Sequence, residues 1–146
     1  VAAIGENKAA IRLSPTSIYN NITHSHPIEQ FTSLIEHLNE MPLAYVHLMK
    51  VPFPADKFPQ YPVDALETFG KISKHPIIAN CGYTRETGEE TLQKGLANLI
   101  SYGTLFLSNP DLPKRFEIDA ELNQADRATM YGGNDQGYID YPFLNS

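Results

Sequence analysis

"HPIIANCGYTRETGEE", residues 75–90, passes from an apolar run, Pro76 to Ala79, through Asn80, Cys81 and Gly82 into a stretch rich in threonine and glutamate. A short apolar run bounded by turn residues suits a buried strand, and Thr84 with the acidic residues after it predicts a helix start. In such a frame backbone N–H groups approach a phosphate closely, and the helix dipole favours its charge. The same small residues equally suit a plain tight turn that needs glycine for its conformation.

Working outward, further apolar runs occupy residues 9–13, 43–49 and 97–102. The runs recur at about 20 to 35 residues, the length of a strand plus a crossover helix, which predicts a parallel α/β architecture. Between the first two, Ile28, Phe31, Leu34, Ile35 and Leu38 fall at helical spacing behind Pro27, a residue suited to a first turn. Val63, Leu66, Phe69 and Ile72 predict a second helix, weakened by Gly70. The third starts after its cap, Thr84, carries Glu86, Glu89 and Glu90 near its positive end, and has Leu92, Leu96 and Leu99 as its apolar stripe. Residues 49–62 hold four prolines and read as an extended loop after the second strand, the kind of connection that lines ligand sites in α/β proteins. Asn109 before Pro110 predicts the cap and first residue of a short extra helix, and the glycine- and tyrosine-rich end reads as a tail packed onto the domain. Four strand–helix units fit either an open doubly wound sheet or half of an eightfold barrel, and periodicity does not choose between them.

At 146 residues the chain is one domain or part of one. Its 42% hydrophobic and 19% charged content is that of a globular protein. The net charge of -6 lacks the basic excess of a nucleic-acid binder, and no apolar run approaches membrane-spanning length. The single cysteine, Cys81, precludes an internal disulfide framework and fits a reducing compartment, so a cytoplasmic location is expected. The first residues show neither an initiator Met nor a signal pattern, and the natural amino terminus is expected upstream.

Arg12 closes the first strand, where a guanidinium can donate several hydrogen bonds to an anionic or carbonyl-rich ligand, or form a surface ion pair. Asn80, Cys81 and Gly82 take the corresponding place after the third strand, and Gly103 and Thr104 after the fourth. Loops after the last two strands of an eightfold barrel, with a short extra helix, commonly bind phosphate. His47 reads as an interior packing histidine and Cys81 as a small packing residue, with a reactive thiol the alternative. His24 and His26 have metal-like spacing without a cluster of further ligands and read as loop residues, so no metal is expected.

"RLSP", "YVHLM", "IIANCGYT", "NLISYGTLFLSNPDLPKRF", "LNQADRATMYGG" and "GYIDYP" together resemble the carboxyl half of the Old Yellow Enzyme family of flavin-dependent ene-reductases, over nearly the whole chain. "RLSPTSIYN" and "ISYGTLFLSN" also resemble the prostaglandin F synthase branch found in trypanosomatid protozoa. The resemblance implies that residues 1–146 are the carboxyl-terminal half of a single (β/α)8 barrel that binds FMN at its strand ends. It implies NADPH as reductant, a small-molecule substrate and a requirement for the remaining barrel half. Arg12 matches the arginine at the flavin's pyrimidine edge, Asn80, Cys81, Gly82 and Gly103 the phosphate-binding loops, and Tyr83 an aromatic position beside the flavin. Tyr131 matches a position on the substrate side of the cofactor. Thr104 departs from the family, which usually has a phosphate-pairing arginine there; a hydroxyl donates one hydrogen bond and no charge. The family's substrate-anchoring histidine pair, or histidine and asparagine, and its proton-donating tyrosine belong to the amino half, so no catalytic acid is assigned here. A class apart from the enzyme is a non-catalytic barrel-derived scaffold that has lost the cofactor, with Thr104 as its support.

Overall fold

The computed structural model describes residues 1–144 except 52, 55, 63 and 133. The chain divides into two compact units, Val1–Ser101 and Tyr102–Ser146.

In the first unit, strands β1 (Ile11–Leu13), β2 (Val46–Met49), β3 (Ile77–Asn80) and β4 (Leu99–Ser101) form one parallel sheet in the order β1-β2-β3-β4. The register sets Arg12 beside His47, His47 beside Ile78, and Asn80 beside Ser101. An unreversed strand order decides between the two α/β solutions. Right-handed crossovers put successive helices on opposite faces only where the order reverses, and here every crossover falls on one face, as in a barrel wall.

The burial pattern agrees. Leu13, Val46, Leu48, Ile77 and Ala79 point to the helix side and are buried with Ile35, Leu38 and Phe69. The alternate positions, Arg12, His47, Met49, Ile78 and Asn80, line the other face and keep some exposure, and Leu99 on β4 is 57% exposed. Parallel strands in a finished fold are covered on both faces, so this polar-ended face is the one a complete barrel encloses.

Helix α1 (Pro27–Leu38) begins at Pro27 as its spacing predicts. Phe31, Ile35 and Leu38 pack inward, whereas Ile28 and Leu34 stay exposed. The expected second helix shrinks to a single π-helical turn, Leu66–Gly70, with Leu66 and Phe69 buried; Val63 lies outside the described residues. Asp64 caps that turn, its Oδ1 accepting from the N–H of Leu66 at 2.8 Å and of Glu67 at 3.1 Å. Helix α2 (Arg85–Gln93) is capped by Thr84 in a reciprocal box with Thr87. Gly95, at φ +67°, ends it, so the stripe expected through Leu96 and Leu99 is cut: Leu99 belongs to β4.

The second unit holds α3 (Thr104–Ser108) and α4 (Leu112–Glu117). The helix expected from Pro110 starts two residues later, because Asn109 points back: its Nδ2 donates to Leu105 O at 2.9 Å and its Oδ1 accepts from Asn123 N at 2.7 Å. The tail has no helix or strand among its described residues and is held by side chains. Arg115, 4% exposed, bonds Asp111 at 2.7 Å, Glu121 O at 2.6 Å and Pro142 O at 3.0 Å, and Leu144 N donates to Asp111 at 2.7 Å.

Candidate functional site

On the open face four side chains form one hydrogen-bonded chain: Asn80 and Ser101 are the last residues of β3 and β4, whereas Arg12 and His47 lie inside β1 and β2, one and two residues before their ends. Arg12 Nη2 donates to Asn80 Oδ1 at 2.9 Å. Asn80 Nδ2 donates to Ser101 O at 3.0 Å and to Ser101 Oγ at 2.8 Å, and Ser101 Oγ meets His47 Nε2 at 2.9 Å. One residue comes from each strand. Arg12 reaches over β2 and His47 over β3, so the chain crosses the whole sheet.

The direction of every bond follows from chemistry. A backbone carbonyl only accepts, so the Asn80 atom facing Ser101 O is its amide nitrogen, and the oxygen is left for Arg12. Burial, with the nearby Arg12 charge second, lowers the His47 pKa, so the imidazole is neutral near pH 7 and Nε2 accepts the Ser101 hydroxyl proton. Arg12 has no carboxylate partner among the described residues, and its guanidinium is exposed on the open face. The surface ion pair that competed for Arg12 in the sequence is not formed there.

Just beyond β3, Cys81 and Gly82 both have positive φ, +90° and +75°. For Gly82 this is unstrained, and a side chain there would meet nothing within 4 Å, so open space lies above the turn. Cys81 is a non-glycine residue in a sparsely populated region, a conformation that costs roughly 1–3 kcal/mol and collects at ligand sites. The N–H groups of Gly82 and Tyr83 have no backbone acceptor among the described residues. Such donors beside open space suit an oxyanion.

Beside this turn a cleft of ≈ 630 Å³ is lined by Phe53, Phe58, Tyr61, Cys81, Gly82 and Tyr83, among others. The proline-rich loop contributes its aromatic residues, as its place after β2 suggested. Lys50 bonds Asp64 at 3.0 Å on the cleft wall. That hydrogen bond raises the Lys50 pKa, and burial opposes it. Burial works against the Asp64 charge too, but Lys50 and the N–H groups of Glu67 and Leu66 hold its pKa below the ordinary value. Tyr83 Oη is buried beside Thr91; burial foremost raises its pKa, and the Thr91 hydroxyl opposes that.

Gly103 and Thr104 stand exposed in the second unit, Gly103 at the start of α3 without a side-chain cap and Thr104 in its first turn. Tyr131, also in that unit, is 93% exposed. His24 and His26 lie before α1, and no described group of three or more histidine, cysteine or acidic residues has metal-binding geometry. No helix among the described residues is long and apolar enough to cross a membrane. Reading by sequence missed Ser101 and the engagement of His47; the signal was a polar residue at the end of β4 and a histidine alternating with apolar strand positions.

A sequentially ordered parallel wall with helices on one face is that of a partial (β/α)8 barrel. The sequence model of the NADH:flavin oxidoreductase / NADH oxidase family matches residues 1–123, and the chain belongs to that family. It is 39% identical over 146 residues to putative 12-oxophytodienoate reductase 2 of Oryza sativa subsp. japonica, covering 99% of this chain and 39% of the relative. The old yellow enzyme from Trypanosoma cruzi superposes with a TM-score of 0.89 at 26% identity, over 99% of this chain and 37% of that structure. Morphinone reductase in complex with tetrahydroNAD gives a TM-score of 0.80 at 32% identity, over 93% of this chain and 36% of that structure. The chain spans about two fifths of the length of the relatives it matches.

Proposed function

We propose that this chain is the carboxyl-terminal half of a single FMN-binding barrel domain, and that the complete barrel is an NADPH-dependent oxidoreductase. Its acceptors on this reading are activated alkenes such as α,β-unsaturated carbonyls, quinones or a prostaglandin endoperoxide, the last in keeping with the resemblance to the trypanosomatid branch. The observation that carries the proposal is Arg12: a cation one residue before the end of β1, anchored by a neutral amide and without a carboxylate among the described residues.

The residues present suit FMN. Arg12 would face the pyrimidine edge of the isoalloxazine, where its positive charge favours the electron-rich reduced form. The N–H groups at the Cys81–Gly82 turn would hold the phosphate and Tyr83 would pack beside the ring; Gly103 and Thr104 are proposed as cofactor-binding residues from the family resemblance. The Asn80 side chain is engaged by Arg12 and Ser101, so its contribution to the site is orientation of the guanidinium. Tyr131 would stand on the substrate side. FMN, when bound, supplies the hydride chemistry, taking two electrons from NADPH and passing them to the acceptor. No residue of this chain is assigned as the proton donor for that transfer.

The competing reading is a scaffold that has lost the cofactor, favoured by a threonine at position 104 in place of the family's arginine. Purification of the complete protein separates the two. The enzyme reading expects a yellow protein with stoichiometric FMN released on denaturation. A colourless protein that takes up no FMN on reconstitution would establish the scaffold.

A further inference from the structure

Two members of the hydrogen-bonded chain, Ser101 and His47, stand behind Asn80 and have no part in the binding roles assigned above. Asn80 donates to both the carbonyl and the hydroxyl of Ser101, and these two bonds fix its amide plane. The hydroxyl in turn has its proton drawn to His47 Nε2. Each link is neutral. Arg12 therefore has one N–H held in place while its remaining donors and its whole charge face outward. A carboxylate at position 80 would anchor a guanidinium more strongly, but would cancel the charge it anchors.

We propose that Ser101 and His47 are positioning residues: through Asn80 they hold the Arg12 guanidinium in place without neutralising it, so that its charge stays available to an electron-rich ligand. The inference rests on the FMN reading, in which that ligand is reduced flavin. It predicts that the relay tunes the preference for reduced over oxidised flavin while touching neither form.

The test uses the complete flavoprotein and measures the two-electron midpoint potential and the affinity of the apoprotein for oxidised FMN. Ser101→Ala, which cuts the relay, should lower the preference for reduced flavin about three- to tenfold, the size of one net hydrogen bond. A tenfold loss corresponds to a midpoint about 30 mV lower for a two-electron couple. His47→Phe should act in the same direction, and Ser101→Thr, which keeps the hydroxyl, should return the potential to that of wild type. Asn80→Asp keeps the shape but pairs the guanidinium with a charge, and should lower the potential at least as far as Ser101→Ala, which keeps the idea testable should a relay variant misfold. Arg12→Met serves as the reference. If it lowers the potential while Ser101→Ala and Asn80→Asp match wild type, the relay is wrong and the FMN reading of Arg12 stands. If Arg12→Met also matches wild type, the site reading falls and takes the relay with it.

Discussion

Two arginines in this chain are held by opposite means. Arg115 in the second unit is 4% exposed and gives its donors to the Asp111 carboxylate and to the carbonyls of Glu121 and Pro142. Arg12 in the first unit is exposed and is held by a single neutral amide. Where a guanidinium is buried and matched with a carboxylate, a ligand has no access to it, and its work is to tie the tail to α4. Where it is steered without being neutralised, most of its donors remain. The same residue type thus ties structure together in one place and, on the proposed reading, serves chemistry in the other.

The comparison breaks most visibly at Arg115. Replacing it by methionine leaves two carbonyls without their donors at roughly 1–3 kcal/mol each, so a loss of about 3 kcal/mol in unfolding free energy is expected. Thermal and urea unfolding of the complete protein check this. The flavin potential of the folded fraction should not move, and a shift in potential equal to that of an Arg12 variant would erase the distinction between the two arginines.

A gain is expected at position 104. Thr104→Arg adds a charge-assisted donor where the family usually carries one, and FMN binding should tighten by about tenfold or more. Isothermal titration of the apoprotein with FMN measures it; unchanged affinity would remove Thr104 from the cofactor-binding residues.

The smallest effect concerns pH. The His47 pKa is lowered in the fold, so the neutral imidazole contributes stability that is present above the unfolded value near 6.5 and is lost as the pH falls below it. Unfolding free energy should therefore decline from about pH 7 to pH 5, and His47→Phe should flatten that slope. A slope unaltered by the substitution would show that His47 is not the titrating group. The Asp64 pKa is also lowered, but its effect appears only in more acidic solution and, for a pair this exposed to solvent, amounts to less than about 1 kcal/mol.

Much of the fold was legible because local signals carried it. Pro27 and the spacing of Phe31, Ile35 and Leu38 placed α1, and Thr84 placed the start of α2. Strand order was not legible, since the period of apolar runs says that strands exist and nothing about which neighbours pair. The helix expected at Pro110 moved because Asn109 is engaged by the preceding turn and by Asn123, fourteen residues away in sequence. The candidate site, still a proposal, divides in the same way. Arg12 and the Asn80–Gly82 turn could be read from their places at or next to strand ends, whereas the link from Asn80 through Ser101 to His47 depends on register across β2, β3 and β4, which no window of sequence contains. The strained backbone of Cys81 was likewise invisible, because a cysteine gives no sign of a positive φ.

The central claim, that the free charge of Arg12 serves a reduced flavin, is tested most directly by redox titration of the complete protein and its Arg12→Met and Arg12→Lys variants. The account predicts a lower midpoint potential for Arg12→Met, by the equivalent of about 1.5–3 kcal/mol, the worth of a hydrogen bond to a charged group. Arg12→Lys should recover part of the difference, because an ammonium keeps the charge but not the planar fork that Asn80 orients. Equal midpoint potentials in all three proteins would contradict it.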